Sequence, residues 1–541
     1  MKRLLTAPFQ SITGAALLLG AASFLSRIVG LLRDRILAHQ FGAGVELDIY
    51  TAAFRVPDFL YNIIIVGALS AGFIPIFLEI FENRNLPAGR QEEKAWKFTS
   101  TILNITFVAL GIISLIAFFT LPYFLPKLVP GFSPESQAQT LMLTRIMLLS
   151  PIFLGLSGVV SSVLQSLRSF VVYSFAPLFY NVGIILGALV FVPLFGLKGL
   201  AYGVVLGAVM HFAVQLPMLF HYGFHFQFSL SYKESSVKKL FKLMIPRTLT
   251  LATVQINVVL TTLFASTLAV GSVAAYNFAN NISSLPVGII GVSFALAAFP
   301  TLSELANKGD IQEFEQHISR TTRQILFFII PLTILFLLLR AQIIRILLGT
   351  GEFDWNDTII TAQTVGMLSI SLFAQCLIPL FIRAFYALQN TRTPLIITFF
   401  STLITIILSF SLKNIFGISG LALGISIGSI LQFFILAVLL YKKLGIHKEK
   451  IIVLSTFKIT LAAVCMGAIT QMIKYPISRY VDMSTFLGIF TQGLVAGGGG
   501  LFIYFFLCYC LQLPEMTILM QSFHKRWLKL KNVSPEVEEL K

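Results

Sequence analysis

The chain has 541 residues, of which 56% are hydrophobic and only 11% charged, and its mean hydropathy is +0.87. Soluble globular chains carry roughly 25% charged residues, so this composition excludes a water-soluble multidomain protein and points to lipid as the solvent. The net charge of +16 needs no polyanion to explain it, because the basic residues gather in alternate loops, the asymmetry that orients membrane proteins; no nucleic-acid partner is expected.

Apolar runs of about 20 residues recur along the chain, each long enough to cross a bilayer as a helix. Helices and closed barrels are the only spanning choices, since lipid offers backbone groups no hydrogen bonds, and these runs are too long and continuous for barrel strands. The fold class is therefore an all-α integral membrane protein. Hydropathy places about fourteen spans, near 12–38, 49–81, 98–124, 138–168, 172–195, 197–220, 238–268, 272–305, 323–348, 359–388, 394–412, 417–441, 452–475 and 484–513. The first run, behind Met1, Lys2 and Arg3, resembles a signal peptide up to Ser23. The helical pattern continues past that point, so it is expected to stay as the first span.

Loops of one parity carry Arg84, Arg90, Lys94 and Lys97, then Lys233, Lys238, Lys239 and Lys242, then Lys308, Arg320 and Arg323, then Lys442, Lys443, Lys448 and Lys450. The opposite loops, such as 126–137 and 349–357, hold few basic residues. Both termini are expected on the cytoplasmic side of the inner membrane. The tail from His524 to Lys531 reads as a basic membrane-surface segment.

An internal repeat organises the chain. Residues 195–203 (FGLKGLAYG) match 416–424 (FGISGLALG), Gly207 meets Gly428 at the same offset, and Pro75 with Glu79 is echoed by Pro300 with Glu304. The expected layout is a first lobe at 1–223, a second at 224–445, two extra spans at 446–515 and a basic tail at 516–541. Duplicated halves around a midplane cavity are a transporter arrangement. The small residues Gly497 to Gly500 in the last span suit close helix packing.

Charges inside spans are costly and face protein or water. Arg27 and Asp34 lie nearly two turns apart on one helical face, with Arg33 close by; the second span opens with Asp48 and carries Arg55 and Asp58. Arginine holds phosphate oxygens through a planar, permanently charged fork. A cavity lined by Arg27, Arg33 and Arg55 suits a pyrophosphate, with Asp34 and Asp48 pairing with these arginines when it is empty. In the competing reading Arg33 and Arg35 snorkel at an interface and the rest form structural ion pairs, a reading strongest for Arg35 and Asp58. Arg383 is a further possible cavity residue, whereas Arg145, Arg247 and Lys458 suit interfaces.

Signals for catalysis are poor, and no cofactor or metal is expected. Of seven histidines only His221 and His225 stand a helical turn apart, among aromatics at a span end, where anchoring explains them. The four cysteines, Cys376, Cys465, Cys508 and Cys510, fall within apolar runs as expected free, buried thiols. No Walker loop is present, so any pumping draws on an ion gradient, the membrane potential or substrate consumption.

Ser26-Arg27, Gly30, Arg33-Asp34, Phe41-Gly42-Ala43-Gly44, Asp48 and the run from Ala53 to Asp58 resemble the opening of the MurJ (MviN) family. So do Gly67 to Ser70, Phe73-Ile74-Pro75, Phe175-Ala176-Pro177 with Asn181, Leu285-Pro286 with Gly288 and Gly291-Val292, and the run from Ala384 to Pro394. The opening motif is specific; the later ones are shared with the MOP transporter superfamily. The resemblance implies a monomeric flippase for lipid II, the undecaprenyl-pyrophosphate-linked peptidoglycan precursor, working by alternating access between two six-helix lobes. It implies a cationic cavity built from spans one, two and eight, and a groove for the lipid tail at the last two helices. Arg27, Arg33, Asp34 and Asp48 match the family's important charges and Arg55 a basic position, making these five the expected substrate-binding residues. The sequence departs from the family where arginines are expected: Tyr61-Asn62 and Asn281 stand there, and Asn281 is retained as a possible cavity residue. The sodium site of some members needs an acid that spans seven, eleven and twelve lack, so the resemblance carries no sodium site over to this chain. A flippase for another polyprenyl-linked glycan of O-antigen type is the near alternative. A MATE-like exporter of organic cations is more distant, because its cavity calls for acidic or aromatic groups rather than arginines.

Overall fold

The computed structural model describes residues 12–63, 69–82, 87–231, 233–445 and 449–521. The motif at Gly67-Ala68, the basic residues Arg84 and Lys448, the side chain of Arg247 and the tail from His524 to Lys531 lie outside the described residues. Among those described every regular element is helical, as expected for a chain whose backbone must satisfy itself in lipid. Among the described residues nine helices are long and apolar enough to cross a bilayer, or ten if the pair Trp355–Ser369 and Leu372–Ala387, bent by 45°, is one span.

Two compact units emerge: one of 1–277 with 348–357, the other of 278–347 with 358–541. The first unit holds α1 (Ile12–Phe41), α2 (Val45–Ala53), α3 (Arg55–Tyr61), α4 (Leu69–Phe81), α5 (Ala88–Leu128), α6 (Pro134–Met147), α7 (Ser150–Ser166) and α8 (Phe170–Leu186). A π-turn, Gly187–Phe191, leads into α9 (Val192–Phe195), followed by α10 (Lys198–Ala213), α11 (Leu216–His221) and α12 (Ser235–Ser266). Its core is aromatic: Phe73, Phe77, Phe98 and Trp96 stack between α4 and α5 and meet Phe224. Helix α6 starts where Ser133 accepts a hydrogen bond from the Ser136 amide and Pro134 presets the first turn.

Helix α13 (Ser272–Pro286) begins in the first unit; a π-turn, Val287–Val292, joins it to α14 (Ser293–Lys308) in the second. The second unit continues with α15 (Ile311–Leu338), α16 (Arg340–Leu348), α17 (Trp355–Ser369), α18 (Leu372–Ala387), α19 (Arg392–Leu444), α20 (Glu449–Tyr480) and α21 (Phe486–Cys510). The last two helices are fastened to α15 and its continuation by polar contacts. Tyr504 donates to the Phe327 carbonyl at 2.6 Å, Gln342 to Gln492 at 2.8 Å and Lys474 to the Leu338 carbonyl at 3.0 Å. Arg323 pairs with buried Glu515 at 2.7 Å. Lys458 donates to the Leu511 carbonyl at the end of α21, at 3.2 Å.

The repeat has a structural origin. Helix α19 runs over 53 residues yet turns back on itself at Gly417, whose φ of 58° and ψ of −137° belong to a region open only to glycine. Beyond it, a Cβ on Gly424 would lie 2.5 Å from the Ser409 amide, and Gly420 and Gly428 likewise abut Leu412 and Thr405, so the two arms run antiparallel. The first unit repeats this at Gly196, with φ 61° and ψ −150°. There Gly199, Gly203 and Gly207 of α10 abut Phe191, Gly187 and Tyr180 of the preceding arm. The matched glycines therefore build two close-packed helical hairpins. The cysteines are all free, but Cys465 and Cys510 are exposed on their helices; only Cys376 and Cys508 are buried. The first two point away from their neighbours toward what composition identifies as lipid, where an apolar thiol costs nothing.

Gly417→Ala is expected to cost about 1–3 kcal/mol, read as a lowered melting temperature of the purified protein in detergent, whereas Gly498→Ala, whose added methyl meets nothing within 4 Å, should leave it unchanged.

Candidate functional site

The charged segment of the first unit is set by two sharp turns. Helix α1 ends at Gly42, whose φ of 58° favours glycine, and a Cβ there would meet the Glu352 carbonyl oxygen at 2.7 Å. The next amide, of Ala43, donates to the Asp357 carboxylate at 2.8 Å. Helices α2 and α3 follow with a break at Phe54, where Pro57 enters the first turn of α3.

Within α1, Arg33 donates through Nε and Nη2 to Oδ1 of Asp34 at 3.0 and 2.7 Å, and through Nη1 to the Asn181 side-chain oxygen on α8 at 2.9 Å. The Asp34 side chain is 6% exposed and that of Arg33 23%. This is a tight, mostly buried pair, as expected for Asp34. Asn181 is itself held by its amide donating to the Pro177 carbonyl at 3.2 Å. Arg55 donates through Nε to the Thr262 hydroxyl on α12 at 2.7 Å; among the described residues its terminal nitrogens have no hydrogen-bond partner. Asp58, half-buried, lies within the electrostatic reach of both Arg33 and Arg55.

Tyrosines complete this cluster. Tyr50 and Tyr180 are near Arg33, Tyr276 is near Arg55, and Tyr61 is near Asp58. Tyr50, Tyr180, Tyr276 and Thr262 are absent from the sequence-based set, because none carries a charge to mark it and all but Tyr50 reach the arginines from a distant helix. Asn181 was visible only as part of a motif.

Asp48 is placed differently. Its carboxylate accepts from the Gly271 and Ala274 amides, each at 2.7 Å, and is 5% exposed. It closes the amino-terminal turn of α13, where free amides and the helix dipole favour an anion. The expected pairing of Asp48 with an arginine is corrected accordingly. Gly271, with φ 86°, sits against the Ala43 carbonyl, so the α1–α2 turn and the start of α13 pack backbone to backbone.

Arg27 is partly exposed and, among the described residues, makes no hydrogen bond or ion pair. Asn281 and Arg383 belong to the second unit; Arg383 donates weakly to the Pro379 carbonyl one turn back, at 3.4 Å. Asn62 donates to the Asp58 carbonyl at 2.9 Å. Arg145 lies over the Phe118 ring at 4.5 Å. Beside Arg55 opens a cavity of about 320 Å³ lined by Phe59, Phe124, Leu128, Val259 and Thr262, apolar except where Arg55 and Thr262 meet it. Among the described residues no three His, Cys, Asp or Glu side chains converge as metal ligands do.

Removing one partner of a buried ion pair strands the other charge at a cost of about 3–5 kcal/mol, while removing both together costs far less. Asp34→Ala is therefore expected to lower thermal stability more than the joint replacement of Arg33 and Asp34 by Met and Leu; a double-mutant cycle in detergent checks the sign.

The family profile described as "Lipid II flippase MurJ" matches residues 37–491. A protein named "Probable lipid II flippase MurJ" from Buchnera aphidicola subsp. Baizongia pistaciae is 27% identical over 526 residues, covering 95% of this chain and all of its own. "Lipid II flippase MurJ" of Burkholderia cenocepacia is 27% identical over 442 residues, covering 80% of this chain and 84% of its own. Among solved structures, "Lipid II flippase MurJ, inward closed conformation" superposes with a TM-score of 0.75 at 24% identity, covering 92% of this chain and 98% of that one. An inward-facing MATE transporter of the MOP superfamily shares the fold more distantly, with a TM-score of 0.66, 16% identity, and 78% and 94% coverage. With its matched span running from within α1 into α21, this chain belongs to the lipid II flippase MurJ family.

Proposed function

We propose that the chain flips lipid II from the inner to the outer leaflet of the cytoplasmic membrane by alternating access, for cell-wall synthesis, as a monomer with both termini cytoplasmic. The lobes that alternate are the duplicated segments 1–223 and 224–445, with 446–515 appended. One observation carries the substrate reading: two partly buried arginines keep part of their donor capacity on weak or neutral acceptors. Arg33 has its Nη1 on a neutral amide oxygen, and Arg55 has only its Nε on a hydroxyl. Doubly charged pyrophosphate oxygens outcompete such acceptors, since charge-assisted hydrogen bonds to Arg are roughly twice as strong as neutral ones.

Asp34 and Asp58 give the cluster its resting balance. Their carboxylates neutralise Arg33 and Arg55 when no phosphate is bound, which limits the cost of an open, charged site in lipid. The headgroup phosphates then share Arg33 and Arg55, with Arg27 of the same α1 helix as a further cation, while the apolar wall beside Arg55 accepts the first carbons of the polyprenyl chain. Asp48 works apart from the phosphates, holding the start of α13. A cavity for organic cations would instead present acids without arginine partners, and this cluster does not.

The variants Arg27→Ala and Arg33→Ala are each expected to fail to support growth of cells depleted of their own lipid II flippase, at wild-type expression levels. Normal growth of both strains would sink the assignment. In proteoliposomes the wild-type protein should translocate lipid II, and not an O-antigen-type polyprenyl glycan; translocation of the second substrate alone would replace the reading with its near alternative.

A further inference from the structure

Each unit contains an outward-facing apolar cavity, and the two occupy the same place in the repeat. The first, about 430 Å³, lies between α5, α7, α10 and α11. The second, about 690 Å³, lies between α15, α18, the second arm of α19 and α20. Their walls correspond at the offset that relates 195–203 to 416–424: Leu156 to Leu377, Val160 to Phe381, Phe212 to Phe433, Leu216 to Ala437 and Phe220 to Tyr441.

What fills them differs. In the first unit an extended strap after α11 lays Phe224, Phe226 and Phe228 along the cavity. The strap is pinned there: Asn104 donates to the Gln227 and Ser229 carbonyls, each at 3.0 Å, and the Gln227 amide donates to Ser100 at 3.2 Å. In the second unit the corresponding wall is the first turns of α20, which contribute Ile452, Val453 and Thr456 and no aromatic ring. Its mouth opens outward between Phe434, Val438 and Val453, which are 53%, 50% and 64% exposed. At one end stands Lys442, with exposed Lys443 beside it and Lys448 and Lys450 following in the sequence.

We propose that this second cavity binds an anionic glycerophospholipid of the membrane leaflet on the side of the 442–450 loop, its acyl chain taking the place that the phenylalanine strap takes in the first unit and its phosphate resting on Lys442 and Lys443. An apolar cavity open to hydrocarbon admits a lipid chain rather than water. Basic residues at the end of a transmembrane helix select the anionic headgroup. The site is separate from the arginine cluster of the first unit and does not depend on the flippase reading.

The test is native mass spectrometry of the full-length protein with phosphatidylglycerol and phosphatidylcholine of identical chains. The wild type is expected to retain phosphatidylglycerol, and the pair Lys442→Ala with Lys443→Ala to lose about fivefold or more of that preference. Val438→Trp, which fills the mouth from an exposed position and spares the core, should remove bound lipid at an unchanged melting temperature; Ala437→Phe, deeper in the wall, is the second blocking variant. Equal retention of the two lipids by the wild type, undiminished phosphatidylglycerol in both blocked variants, or displacement of phosphatidylglycerol by a polyprenyl phosphate would each overturn the proposal.

Discussion

A guanidinium at membrane depth has to bring its acceptors with it, because hydrocarbon supplies none and the ionised form persists at any accessible pH. Arg33 finds them on its own helix, at Asp34, and across the interface with α8, at Asn181. That second acceptor is available only because α8 approaches α1 closely. Gly30, one turn before Arg33, lies against Asn181 with room for no more than an ordinary contact, 4.0 Å from a would-be Cβ. On its other side α8 is gripped by α10, where Gly183 faces Gly207. The glycines of the first hairpin thus position the neutral acceptor of an arginine on a different helix, and packing and charge satisfaction become one arrangement.

The acids near this cluster divide into two kinds. Asp34 and Asp58 answer side-chain charge, whereas Asp48 and Asp357 spend their carboxylates on backbone amides, of Gly271 and Ala274 in one case and Ala43 in the other. A carboxylate bound to amides at a helix start is a strong contact that needs no arginine. It also consumes no positive charge, so Asp48 leaves the arginines of α1 and α3 as cationic as it found them. Sequence spacing alone treats both kinds of acid alike, since a period of seven records a shared face and says nothing of which backbone stands opposite.

That distinction marks how much was legible beforehand. The helical membrane fold follows from composition, because a chain this poor in charge has no other way to satisfy its backbone. The repeat at 195–203 and 416–424 was visible, and its glycines have a local cause at Gly196 and Gly417 that any sequence carries on its face. Arg33 beside Asp34 was legible for the same reason, their pairing being local. The neighbours that escaped, Thr262, Tyr50, Tyr180 and Tyr276, are uncharged, and all but Tyr50 come from helices far along the chain. The exposed Cys465 and Cys510 were misjudged because apolar sequence looks the same whether its side chains face protein or lipid.

Duplication followed by divergence explains why the cluster is lopsided. In the register of the repeat, α12 stands in the second half where α1 stands in the first, yet from Thr248 to Ser266 it has lost every charge and offers hydroxyl and amide groups instead. One of these, Thr262, is the acceptor for Arg55. With an acid there instead, Arg55 would be locked in an ion pair, whose breaking strands a buried charge. A hydroxyl holds the guanidinium in place at a fraction of that energy. The absence of charge from this stretch of α12 is therefore what leaves Arg55 on a neutral acceptor.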